Sequence, residues 1–201
     1  MTPAYNGSTI DGGAYTDVVR AAHDAPSWMD TLVSAWSSYG LALFAVLMLA
    51  GWWQARRQGA RSALMALAVP VIVLVAYAAN DALKLVVRED RPCQSLHVTT
   101  LEACPAAGDW SFPSNHAALA AAAAVALLFV SRRIGALAVV AAVAMAASRV
   151  WVGAHYPHDV VVGAAVGTLV ALLLAAALRK RTEAPVNRLM ETRLRPLLVP
   201  S

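Results

Sequence analysis

The sequence predicts an all-α integral membrane protein, and three observations carry that prediction. Hydrophobic residues make up 59% of the chain and charged residues 14%, a balance outside the soluble range. Five apolar runs are long enough, or nearly so, to cross a hydrocarbon layer of roughly 30 Å as helices of about 20 residues. Outside those runs, arginine and lysine gather in alternate connections, which sets an orientation.

In chain order, residues 1–13 (MTPAYNGSTIDGG) are polar and glycine-containing and are expected to be flexible. From Ala14 to about His23, Tyr15, Val18, Val19 and Ala22 share one face. That pattern suits a short helix on the outer membrane surface, or a loosely structured lead-in. "APSWMD" reads as a turn, and the first span starts near Thr31 or Leu32 around an apolar stretch from Leu41 to Trp53. Residues 1–33 are mixed rather than basic and then apolar, so no secretory signal peptide is expected. The membrane-embedded domain is placed at 14–181, with a basic cytoplasmic tail at 182–201.

The second span, Ala63 to Leu83, contains Pro70, where a kink is expected because the ring removes a backbone donor and clashes with the preceding turn. The third, Ser114 to Val130, is mostly alanine, and small side chains let helices approach closely in lipid. The fourth runs from Ala136 to Val150 and the fifth from Val160 to Leu178. Gly163 and Gly167 in the fifth are read as packing within one bundle rather than as a dimer interface, and no feature fixes the oligomeric state.

Arg56, Arg57 and Arg61 lie between spans one and two, Arg132 and Arg133 between three and four, and Arg179, Lys180 and Arg181 after five. These connections share one side, which we place in the cytoplasm. The N-terminus, the loop from Lys84 to Pro113 and the turn from Trp151 to Pro157 then lie outside. The net charge of +4 is mostly a topology signal, so no nucleic-acid partner is called for; the basic tail adds attraction to anionic lipid. Cys93 and Cys104 both fall in an outer loop, where a disulfide is permitted. Unpaired thiols are the alternative, and a zinc site with His97 lacks a fourth ligand at suitable spacing.

Three polar clusters interrupt the apolar pattern, all on the outer side. In "KLVVREDRP", Lys84, Arg88 and Arg91 fall on one helical face, and Pro92 biases Arg91 out of helical geometry at the helix end. Such a face suits a multiply charged anion; membrane-interface anchoring is the plainer reading. In "FPSNH", Ser114 is a good helix N-cap, which would aim free N–H groups outward as an anion site, though capping alone also explains it. In "SRVWVGAHYPHD", His155 and Asp159 stand four apart, so the carboxylate can accept one imidazole N–H and leave the other nitrogen free as nucleophile or base. Arg149 can clamp a phosphate, whereas a merely local hydrogen bond is the plainer account of the His–Asp pair. Ionisable groups clustered at span ends mark function more often than packing.

These clusters resemble the signature of the type 2 phosphatidic acid phosphatase superfamily: K-x6-R-P at Lys84 to Pro92, P-S-x-H at Pro113 to His116, and S-R-x5-H-x3-D at Ser148 to Asp159. The stretch "APSWMDTLVSAWSSYGLALF" is also similar to the lead-in of undecaprenyl-diphosphate phosphatases of the bacitracin-resistance type. The resemblance implies a six-helix bundle, here the short outer helix plus the five spans, and hydrolysis of a lipid phosphate without metal or other cofactor. It implies that His155 attacks phosphorus, Asp159 orients it, and His116 protonates the leaving oxygen and later activates water. Lys84, Arg91, Arg149, Ser114 and the backbone near Asn115 would hold the phosphoryl oxygens, and the helical phase of Arg88 makes it a candidate for a second phosphate. Asn115 stands where the family often has glycine; if the site needs a left-handed backbone, asparagine is the least costly replacement. His158 has no signature role and is read as an interface residue.

The substrate class this implies is a membrane lipid phosphate, with undecaprenyl diphosphate first and phosphatidylglycerophosphate, phosphatidate or phosphoryl transfer to another lipid as alternatives. A vanadate-dependent haloperoxidase would share the anion site but not the spans. A transporter would place its polar residues near the bilayer midplane rather than at span ends.

Overall fold

The computed structural model describes residues 4–200, and every named element among them is helical. In order they are α1 Ser8–His23, α2 Ser27–Tyr39, α3 Leu41–Arg56, α4 Ala60–Val87, α5 Pro92–Leu96, α6 Asn115–Val130, α7 Arg132–Trp151, α8 Pro157–Lys180, α9 Glu183–Met190 and α10 Arg195–Leu198. α6 is the central post, packed against α3, α4, α7 and α8. Its alanines explain this position: Ala117, Ala118, Ala120, Ala122, Ala123 and Ala124 are all buried, so neighbours approach it on every side.

The fifth apolar run meets α6 through its two glycines. A Cβ on Gly163 would fall on the Ser114 carbonyl oxygen, and one on Gly167 on the Ala118 carbonyl oxygen. Both obstacles are backbone, so neither can swing away. Gly167→Ala is therefore expected to push α8 off α6 and to destabilise the protein by about 2–3 kcal/mol, the ordinary cost of overpacking a rigid contact. Thermal unfolding in detergent checks this, and an unchanged midpoint would refute the close approach.

Outward faces of the long helices carry exposed apolar residues such as Val71, Leu74, Val140, Val143, Leu169 and Leu173, as lipid-facing surfaces do. α4, α7 and α8 are each long and apolar enough to cross a membrane. The first expected span is not one helix. It divides into α2 and α3, bent by 55° at Gly40, and the pair together is long enough for a fourth crossing. The bend sits where α7 presses in, since a Cβ at Gly40 would lie 2.8 Å from the Met145 methyl. At 16 residues α6 spans about 24 Å, short of a full hydrocarbon layer. Among the described residues there are thus three or four candidate crossings rather than five equal ones.

The leading helix starts at Ser8, ahead of the Ala14 expected; residues 1–3 of the stretch anticipated as flexible lie outside the described residues. Gly12 and Gly13 hid the extension, and Asp11 carries a non-helical backbone where the two segments join. Tyr15, Val19 and Ala22 bury against the α7–α8 end, and the Tyr15 hydroxyl donates to the Gly153 carbonyl at 2.9 Å. α4 passes through Pro70 as one helix and stops at Val87, because Arg88 takes the left-handed conformation (φ 53°). After α8 the chain folds back: the Trp52 indole donates to the Leu197 carbonyl at 2.9 Å, and Leu198 is fully buried.

Candidate active site

The site is built at one end of the bundle, where α4 and α7 finish and α6 and α8 begin. α7 ends at Trp151, and Gly153, at φ 82°, turns the chain back under it. The Arg149 carbonyl accepts from the amides of Ala154 (3.1 Å) and His155 (3.2 Å), fixing the next residues in a tight arch. At the start of α8, Asp159 Oδ2 accepts the Tyr156 amide at 2.9 Å, so the carboxylate sits at the positive end of its own helix. The Cys93–Cys104 disulfide, with Cα atoms 5.9 Å apart, closes the loop that covers this end.

Hydrogen bonding assigns the His155 tautomer. The Arg91 guanidinium lies 3.2 Å from His155 Nε2, and a guanidinium only donates, so Nε2 presents its lone pair. Nδ1 then carries the proton. It lies 3.4 Å from both Asp159 Oδ2 and the Ser111 hydroxyl, which itself donates to Asp159 Oδ2. Burial, and then the neighbouring charges of Arg91, Arg149 and Lys84, hold the His155 pKa well below 6.5, keeping the ring neutral.

A cavity of about 420 Å³ borders His155 and is lined, among others, by Lys84, Arg91, Asn115, His116 and Arg149 as well. Three cationic side chains from three separate segments therefore converge with both signature histidines on one space. Each cation is also tethered. Lys84 Nζ donates to the Trp110 carbonyl at 2.8 Å, and Arg91 donates to the Ala154 carbonyl at 2.9 Å and to Asp109 Oδ1 at 2.9 Å. Arg149 contacts Glu102 Oε1 at 3.0 Å and donates to the Ser37 hydroxyl, while its Nε is buried without a partner. Burial alone would raise the Asp109 pKa, but the hydrogen bond and charge of Arg91 hold it low, so it stays a carboxylate.

Two carboxylates, Glu102 and Asp109, thus occupy the guanidiniums that an incoming phosphate would need. Glu102→Gln removes one competing charge, and its expected effect is a KM lowered a few-fold with kcat near the parent value, read from initial rates. A raised KM would instead make Glu102 a positioning partner of Arg149.

Three other expected site residues are placed differently from the expectation. Arg88 is exposed, donates to the Leu85 carbonyl at 2.9 Å and does not line the cavity. The shared face with Lys84 and Arg91 required a helix through residue 91, and α4 ends at Val87. Arg91 itself is extended (ψ 148°), as the following proline dictates. Ser114 takes the N-cap position, but its hydroxyl makes no cap hydrogen bond and is buried unpartnered. Its amide is held by the Asp159 carbonyl at 3.0 Å. Asn115 is the first residue of α6, not left-handed; its side chain ties α6 to α4 by accepting from Asn80 at 2.7 Å and donating to Asp81 at 3.3 Å. Ser111, Ser37, Asn80 and Glu102 went unread, because isolated serines, an asparagine and a loop glutamate carry no pattern before the fold joins them.

Behind Asp159, His158 is more than an interface residue. Its ring nitrogens contact Asp11 Oδ1 at 2.7 Å and Glu89 Oε1 at 3.0 Å, joining α1 to the end of α4. Glu89, His158 and Asp159 offer ligand atoms within 4.8 Å of one another, but the two His158 nitrogens are already engaged by carboxylates in a packed interior, and Glu89 is 1% exposed. We read this group as a hydrogen-bonded brace.

The sequence profile of the PAP2 superfamily matches residues 65–183, the region that holds every signature residue of this cavity. The chain is 34% identical over 160 residues to undecaprenyl-diphosphatase BcrC of Bacillus subtilis, covering 78% of this chain and 80% of that protein. It is 34% identical over 101 residues to the undecaprenyl-diphosphatase of Sulfolobus acidocaldarius, covering 50% of this chain and 48% of that one. Its fold is similar to the crystal structure of a transmembrane PAP2 type phosphatidylglycerolphosphate phosphatase from Bacillus subtilis, with TM-score 0.56, 19% identity and coverage of 86% and 88%.

Proposed function

The chain belongs to the PAP2 superfamily, and we propose from that premise that it is an integral-membrane lipid phosphatase that hydrolyses undecaprenyl diphosphate to undecaprenyl phosphate and phosphate. The observation that carries this reading is the unprotonated His155 Nε2, contacted by Arg91 at 3.2 Å, in a residue that lines one cavity with Lys84, Arg91 and Arg149. Similarity to undecaprenyl-diphosphatases over most of the chain supplies the substrate class.

In the proposed mechanism, the three cations hold the non-bridging oxygens of the terminal phosphate and stabilise charge as it develops. His155 Nε2 attacks the terminal phosphorus, and the bridging P–O bond breaks with its electron pair going to the lipid monophosphate. His116, protonated once the anionic headgroup lies beside it, supplies the proton to that leaving oxygen. The Nδ1 proton stays toward Asp159, which balances the charge on the phosphorylated ring. Water, deprotonated by His116, then cleaves the P–N bond and releases inorganic phosphate, returning His155 to its neutral form. The lipid tail stays in the bilayer while its headgroup reaches the helix ends.

We place the active site on the extracytoplasmic face. Support comes from the arginines: Arg56, Arg57, Arg132, Arg133 and Arg179 all lie at the bundle end opposite His155. The variant His97→Cys, altered at an exposed position, should react with an impermeant maleimide from outside intact cells, and labelling only after permeabilisation reverses the orientation.

The deciding experiment is phosphate release by purified protein from undecaprenyl diphosphate, phosphatidate and phosphatidylglycerophosphate, with chelator present. Undecaprenyl diphosphate is expected to give the highest kcat/KM, chelator to leave it unchanged and vanadate to inhibit it. Preference for phosphatidylglycerophosphate overturns the substrate, and a strict requirement for divalent metal overturns the mechanism.

A further inference from the structure

At the end of the bundle remote from His155 there is a second polar cavity, of about 620 Å³. Arg61, near the start of α4, Arg132, the first residue of α7, and Arg179, near the end of α8, all line it. Along α4 it lies roughly 34 Å from Lys84, at 1.5 Å per residue, so it shares nothing with the catalytic site.

Its electrostatics are unbalanced. Neither α4 nor α7 has an acidic residue in its first turn, so Arg61 and Arg132 stand at helix N-termini with no carboxylate of their own turn to offset them, whereas Arg179 stands near the α8 C-terminus, where a cation is favoured. Arg61 and Arg132, at N-terminal ends, are unfavourably placed unless an anion joins them. Glu183 reaches Arg61 at 2.5 Å, but Arg132 and Arg179 form no ion pair among the described residues. Thr182, 4% exposed, lines the same space and makes no side-chain cap hydrogen bond. The remaining wall carries Ser62 beside the apolar Met65, Leu128, Phe129 and Val130.

We propose that this cavity binds the phosphate headgroup of an anionic phospholipid in the leaflet opposite the active site. The paired guanidiniums suit a phosphate, which accepts from their forked N–H groups. The apolar wall suits the first carbons of the attached chains and distinguishes a lipid from free phosphate. The volume exceeds what a single phosphate needs and matches a headgroup with its glycerol.

The test uses the full chain in neutral detergent. Its thermal midpoint is measured against added dioleoylphosphatidylglycerol, dioleoylphosphatidylcholine or inorganic phosphate. Phosphatidylglycerol is expected to raise the midpoint saturably while phosphatidylcholine does not. In the variant Arg132→Gln/Arg179→Gln the half-saturating concentration should rise about 100-fold, tenfold for each guanidinium replaced, with phosphate release from the lipid substrate unchanged. Should the double variant unfold, Arg132→Gln alone is expected to give about a tenfold shift. An undiminished response in the variants overturns the site, and equal saturation by inorganic phosphate overturns the lipid assignment.

Discussion

Replacing His155 with alanine is expected to lower kcat by about 10⁴-fold or more, with the protein still folded, because in the proposed mechanism this ring forms the covalent bond to phosphorus. The fold should tolerate the change. His155 is only 2% exposed, but its side chain is held by three loose contacts between 3.2 and 3.4 Å, and it borders a cavity that water can fill. Single-turnover assays with labelled substrate, alongside a thermal midpoint, separate catalysis from folding. Residual activity within tenfold of the parent would remove His155 as nucleophile. The same residue sets a pH dependence. Burial and three neighbouring cations make its proton harder to hold, so the neutral, attacking form persists below pH 6.5. Loss of kcat on acidification should therefore begin below the range of an ordinary histidine. An acid limb centred above 6.5 would mean that another group controls it.

His155, Asp159, Arg91 and Lys84 were legible in the sequence for a physical reason: charge embedded in an apolar chain is costly, so each such residue stands out and must have a partner. Proline made Arg91 readable as the end of a helix. What could not be read was how far α4 continued. Arg88 looked equivalent to Lys84 only while the helix was assumed to extend past it, and one left-handed residue moved it away from the cavity. The bend at Gly40 was hidden for a similar reason. Apolar composition measures affinity for lipid and says little about direction, whereas the bend falls at a glycine against which Met145 of a distant helix packs. His158 shows a third limit. The brace it forms with Asp11 and Glu89 spans 147 and 69 residues of chain, and no local pattern could have joined them.

Arg91→Gln is expected to lower kcat/KM by about 10³-fold, the largest effect of any change that leaves both histidines in place. One guanidinium does three things. It donates to the Ala154 carbonyl at 2.9 Å and so holds the catalytic arch, it contacts His155 Nε2 at 3.2 Å and so keeps that nitrogen unprotonated, and its position in the cavity lets it meet a phosphoryl oxygen. Losing one donor to developing charge costs about 10²–10³ in kcat by itself, and the unsupported arch adds to this. The glutamine variant also leaves a buried carbonyl unpaired, worth about 1–3 kcal/mol of stability. Arg91→Lys should recover only part of the activity, because a single ammonium cannot reach Ala154 and Asp109 at once as the fork does. The decisive comparison is the double variant. If Arg91 acts through the attack by His155, then His155→Ala/Arg91→Gln should be no slower than His155→Ala alone, since nothing remains for the guanidinium to assist. Independent, multiplying losses would instead place Arg91 in substrate capture, and the phosphate would then meet it before it meets the histidine.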